Sequence, residues 1–138
     1  YVGVDIEPNY LTSINLNGTV ESVSIIDESS IYVARGTNGV SYIPIDGIQI
    51  DSTTNLVTND VSIVNFANDL NVDHVSVYND IAVLSLGSKG IALYDVSDPT
   101  SPQEKGIFPV GYVYNTQFWN EKLVICSREG LQIISVNQ

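Results

Sequence analysis

Three stretches of this chain repeat one pattern, and that repeat limits the fold more than any other feature. Residues 20–45 read VESVSIIDESSIYVARGTNGVSYIPI, residues 72–96 read VDHVSVYNDIAVLSLGSKGIALYDV, and residues 113–136 read VYNTQFWNEKLVICSREGLQIISV. Each has an alternating segment, a polar turn, an apolar segment, a turn ending in Gly, and a second apolar segment. The copies begin at Val20, Val72 and Val113, 52 and then 41 residues apart. A unit of this size cannot bury its own apolar face. Copies must stack, as in a solenoid, a propeller or an array.

The segments read as strands. Runs of Val, Ile and Tyr are punctuated by Gly, Asn, Asp and Pro, and no segment keeps apolar residues at helical spacing for three turns. First strands are expected at 20–25, 72–77 and 113–118, second strands at 31–34, 82–85 and 123–126, and third strands at 40–45, 91–96 and 131–136. Residues 61–67 and 104–108 fit a fourth strand between copies, and residues 10–16 fit the same slot ahead of the first copy. Four antiparallel strands in this length make a propeller blade. Blade repeats run over about 10–60, 61–103 and 104–138, with 1–9 as the end of a preceding blade. The expected fold is all-β: about three propeller blades in a single domain, part of a larger or oligomer-completed ring, with a β-sandwich as the alternative.

The strand faces agree. The second and third strands are apolar on both sides, as in a sheet covered by neighbours on both faces. The first strands carry Ser22 and Ser24, His74 and Ser76, and Asn115 and Gln117 on one side, which suits innermost strands around a narrow wet channel.

Gly90-Ile91-Ala92-Leu93-Tyr94-Asp95-Val96-Ser97-Asp98-Pro99-Thr100-Ser101-Pro102, followed by Gly106, resembles the LVIVD repeat. Residues 130–136 resemble the same strand without the Asp-Pro, and residues 4–8 a worn copy. In the first copy the match ends after Asp46, where residues 47–59 replace the turn. The resemblance implies a β-propeller, mostly bacterial or archaeal and often extracytoplasmic, and it implies no reaction. In physical terms Asp95 and Asp98 are turn-capping residues, with Pro99 and Pro102 restricting the exit. Two carboxylates could help to hold Ca²⁺, but a calcium site normally supplies more oxygens.

Charge narrows the partners. Sixteen acidic residues against five basic ones give a net charge of −11 at pH 7. Nucleic acid and anionic lipid need a basic stripe, and none exists. The charged fraction of 15% is low against the usual ~25%. Much Asn, Ser, Thr and Tyr with little Lys suits an extracellular or cell-surface protein. Asn17-Gly18-Thr19 is an N-glycosylation sequon and equally a turn signal. The single cysteine, Cys126, lies in an apolar run and reads as a buried structural thiol. The chain does not begin with Met, which suggests a processed or excised piece. No stretch approaches the ~18 apolar residues of a membrane span.

Candidate sites are few. The turns between second and third strands hold Arg35, Lys89 and Arg128, three of the five basic residues, at one repeat position. That position lies on one rim of a propeller. Asp27, Glu28, Asp46, Asp80, Asp95, Asp98 and Glu121 fall on the other. The basic rim would take an anionic ligand, or would be solvated turns. Tyr112, Tyr114 and Trp119 could form a patch for sugar or protein, or pack the core. His74, beside Asp73, is the only histidine, too few for a metal site and without a Gly-x-Ser-x-Gly elbow elsewhere. No Gly-rich phosphate loop occurs.

The chain starts inside one blade and stops inside another, and three blades do not close a ring. Further blades, from the same longer chain or another copy, are therefore expected. The function expected is a non-catalytic binding or assembly scaffold, surface or secreted, for a protein or glycan. The alternatives are part of a propeller hydrolase or lyase, or a structural subunit of a surface layer or filament.

Overall fold

A computed structural model describes Gly3 and residues 6–136. Among them are eleven strands and no α-helix: β1 (Ser22–Ile25), β2 (Ser30–Ala34), β3 (Val40–Pro44), β4 (Val64–Phe66), β5 (His74–Tyr78), β6 (Ile81–Ser85), β7 (Ile91–Asp95), β8 (Gln103–Phe108), β9 (Val113–Trp119), β10 (Lys122–Ser127) and β11 (Gly130–Ser135). They form three antiparallel sheets in simple up-and-down order: β1-β2-β3-β4, β5-β6-β7-β8 and β9-β10-β11. Each of the nine strands expected within the copies is present, as are two of the three outer strands. The sheets do not close into a ring. In space β4 pairs with β3, and β8 with β7, so each outer strand completes the sheet of the copy before it.

Residues 10–16 are the exception: they form no strand. A strand needs a neighbour to take its N–H and C=O groups, and no described strand lies beside them. The segment is instead anchored beside sheet 1. Thr12 Oγ1 donates to the Asn55 carbonyl at 2.7 Å, and the Asn17 carbonyl accepts from Arg35 Nη1 at 2.8 Å. The worn repeat copy at 4–8 and the blade end at 1–9 fall largely outside the described residues.

The sheets stack face to face, with the first strands β1, β5 and β9 adjoining. Sheet 2 is in the middle, and alternation sends its side chains into both seams. Val75, Ala82, Leu84, Ala92 and Tyr94 pack against Tyr32, Ala34 and Val40 of sheet 1. Val83 and Ile91 pack against Val113, Leu123 and Ile125 of sheet 3. This explains why second and third strands are apolar on both faces. Aromatic rings link the first seam: Tyr32 lies 6.1 Å from Phe66 edge-on, and Phe66 lies 5.2 Å from Tyr94.

The first strands do not border a wet channel at Ser76. Its side chain is 7% exposed and points into the second seam. Its hydroxyl bonds the Thr116 carbonyl and lies 3.1 Å from the Thr116 hydroxyl. In the first seam, the Ser22 hydroxyl accepts the Val75 N–H at 3.3 Å. These small polar residues stitch one sheet's backbone to the next, because hydroxyls let first strands approach closely while satisfying buried groups.

Among the described residues, sheet 3 is covered on one side only. Its inward face carries Leu123, Ile125 and Ile134, and its outward face carries Val124, Leu131 and Ile133. Cys126 also faces outward and is exposed, not buried as its apolar run suggests. An apolar run is buried on both sides only where a second sheet covers it, and none of the described sheets covers this one. At the other end of the stack, Val33 and Ile43 of sheet 1 are buried while Val23 and Ile25 are 53% and 73% exposed.

Candidate functional site

The turns at 35–39, 86–90 and 127–130 lie at one end of the sheets, because every sheet is an up-and-down meander. Bridges from Gly36 to Val72 and from Gly87 to Val113 tie two of these turns to the entry of the next sheet. Gly90, at φ +88°, is required at its position, since a Cβ there would collide with the Phe108 carbonyl.

The three basic residues on this rim have different surroundings. Arg35 is 5% exposed. Its Nη1 and Nη2 donate at 2.8 Å to the carbonyls of Asn17 and Asn38, so it closes its own turn and is not presented to a ligand. Lys89 is exposed. Arg128 is exposed and lies 3.9 Å from the Tyr112 ring centroid, a cation–π stack. The repeat itself carries the signal for Arg35: its counterparts Leu86 and Ser127 are also buried, at 6% and 8% exposure.

Arg128 brings two sequence candidates together. The Tyr112 and Tyr114 rings lie 5.4 Å apart. Hydrogen bonding to the Tyr114 side chain holds the Arg128 guanidinium above its ordinary pKa. Both Glu129 carboxylate oxygens accept the Tyr112 N–H at 3.2 Å, and that bond holds Glu129 below the usual carboxylate range. Carboxylates were not apparent here from the repeat, yet Glu129 shares the rim, and Glu21 and Asp73 approach Gly36 and Gly87. The rim is therefore mixed in charge. Trp119 is not part of it. It stands at the far end of β9, 57% exposed, with Lys122 Nζ 5.5 Å from its ring.

His74 is half-buried, facing sheet 3 across from Ser85 in the β5–β6 ladder. Burial lowers its pKa. Its Nδ1 and the Ser85 hydroxyl are both buried without a hydrogen-bond partner. Asp95 and Asp98 act as turn caps: Asp95 Oδ1 accepts the Ser97 N–H, and Asp98 Oδ1 accepts the Thr100 N–H and hydroxyl. Those bonds lower both carboxylates. Asn17 is exposed, its carbonyl taken by Arg35. Among the described residues no three His, Cys, Asp or Glu side chains gather as a metal site, and no helix is long and apolar enough to cross a membrane.

No family model matches the chain, and no curated protein matches it in sequence. In structure it is similar to the computationally designed Ika4 protein, solved by crystallography. The match covers 95% of this chain and 100% of that one, with a TM-score of 0.52 at 10% identity. At that identity the likeness concerns the fold alone.

Proposed function

We propose that this chain is a non-catalytic binding and assembly scaffold made of β-propeller blades of the LVIVD type, for which further blades are the first partner. One observation carries this reading. In sheet 2, Val83 and Ile91 with Ile81 and Leu93 face sheet 3. By register, the same repeat positions in sheet 3 are Val124, Leu131, Lys122 and Ile133. There they face no sheet among the described residues, and Leu131 and Ile133 are 72% and 54% exposed. Together with Trp119 they form an apolar face of the kind that marks an interaction surface. A blade from a longer chain or from a second copy has the shape and chemistry to cover it. Tyr112, Tyr114 and Arg128 offer ring faces and N–H donors for a protein or glycan on the rim, consistent with a surface or secreted setting.

The test is native mass over a concentration series, with denatured mass beside it and the reactivity of Cys126 as a reporter of the same face. The scaffold reading expects a native mass at least twice the 15.0 kDa of the chain, with Cys126 protected. A denatured mass above that value supports completion by the same polypeptide. A monomer at every concentration with a freely reactive Cys126 overturns the reading and favours a closed β-sandwich. The edge of β11 supports the structural-subunit reading as a second possibility. It has no outer strand among the described residues, whereas β3 and β7 do, so edges of neighbouring copies could pair.

A further inference from the structure

We propose that the seam between sheets 2 and 3 binds one internal water molecule, held between His74 Nδ1 and the Ser85 hydroxyl. This inference does not rest on the open face of sheet 3. His74 and Ser85 stand directly opposite each other in the β5–β6 ladder, which sets their Cβ atoms about 4.5–5.5 Å apart. Both face sheet 3. Ser76, two residues along β5 from His74, reaches Thr116 of sheet 3. Ile91, the partner of Ser85 in the β6–β7 ladder, and Val83, two residues along β6, pack against Val113, Leu123 and Ile125. Ser85 itself is fully buried.

Two orphaned atoms point to this ligand. His74 Nδ1 and Ser85 Oγ are each buried, and neither bonds the other or any other group. A buried polar atom left without a partner is costly. Two such atoms on facing side chains are satisfied together by one small molecule that both donates and accepts. Burial lowers the His74 pKa, so the imidazole is neutral at neutral pH and its Nδ1 is either an N–H or a lone pair. Water pairs with either form, and with a hydroxyl in either direction. Nothing much larger fits, because Val83, Ile91 and Val113 close the seam beside the pair and are at most 1% exposed. A metal ion fits less well. Among the described residues no three His, Cys, Asp or Glu side chains gather, and one imidazole with one hydroxyl falls short of a zinc site. The repeat supplies a contrast. At the place of His74, Ser22 stands opposite Ala34 and takes the Val75 N–H directly. Asn115 stands opposite Cys126, and both are exposed. Of the three copies, the middle one alone encloses two facing polar side chains at this position.

The direct test is a crystal structure of the intact chain at a resolution that shows ordered water. One water peak is expected within about 2.5–3.2 Å of both Nδ1 and Oγ. A direct bond between Nδ1 and Oγ, other partners for either atom, or no peak between them would each overturn the proposal. Thermal unfolding gives a separate reading. Deleting a hydroxyl that has no partner leaves stability unchanged or raises it, whereas deleting one that holds a water lowers it. Ser85→Ala is therefore expected to lower Tm by about 3 °C, from the net worth of one hydrogen bond and the unfolding entropy of 138 residues. A Tm that stays the same or rises would overturn the proposal. The mass and Cys126 measurements report on the outward face of sheet 3, and these report on its seam with sheet 2, so failure of either proposal leaves the other standing.

Discussion

Ile91 and Leu131 occupy the same place in the repeat, and truncating each to Ala should cost very different amounts. Ile91 pairs with Ser85 at the start of β7, and Leu131 pairs with Cys126 near the start of β11. Ile91 is 1% exposed in the second seam, whereas Leu131 is 72% exposed on the outward face of sheet 3. Removing a fully buried Ile side chain down to Cβ loses its transfer energy and leaves a cavity, costing about 3 kcal/mol. Leu131 has only about a quarter of its surface removed from water, so its loss is worth about 0.5 kcal/mol. With an unfolding entropy of about 2.1 cal/mol/K per residue over 138 residues, these become falls in Tm of about 10 °C and about 2 °C. Thermal unfolding followed by far-UV circular dichroism at several protein concentrations reads both. A small fall for Leu131→Ala at low concentration that grows as concentration rises indicates a partner on the open face. Equal falls for the two variants at every concentration would refute the reasoning, because Leu131 would then be buried within one chain.

Two further predictions follow from the polar residues. Arg35→Met removes two buried donors from the Asn17 and Asn38 carbonyls, and should lower stability by about 1–3 kcal/mol in urea titration, while Lys89→Met on the same rim should not change it. His74 has its pKa lowered by burial, so the unfolded chain binds this proton more readily. Its contribution is therefore intact above the unfolded value of ~6.5 and is lost as pH falls below that value. Stability should decline from pH 7 to pH 5, and His74→Gln should flatten that decline.

The alternation of apolar residues made the nine inner strands legible, since a period of two with turn residues between runs has few other solutions. The outer strand at 10–16 has the same kind of pattern and does not form, because a ladder also needs a neighbour and the pattern says nothing about one. Arg35 and Arg128 show the same limit for the site. Both lie in second turns of the repeat, but one position is sealed by the carbonyls of Asn17 and Asn38 and the other is stacked in the open on Tyr112. Tyr112, just ahead of β9, and Tyr114 within it are two residues apart and come together, whereas Trp119 closes β9 five residues further on, too far along an extended strand to join them.

The sequence by itself determined that this chain is all-β and that it is built from three copies of a strand-turn-strand unit. Those properties follow from local chemistry: side-chain period and turn residues. Only the tertiary structure decided which apolar faces meet. It turned Ser76 into a bond between sheets, buried Ile91 while leaving Leu131 bare, exposed Cys126, and enclosed Ser85 opposite His74 in the second seam. Each of these outcomes depends on whether another sheet lies within reach, and the period of a strand carries no information about that distance.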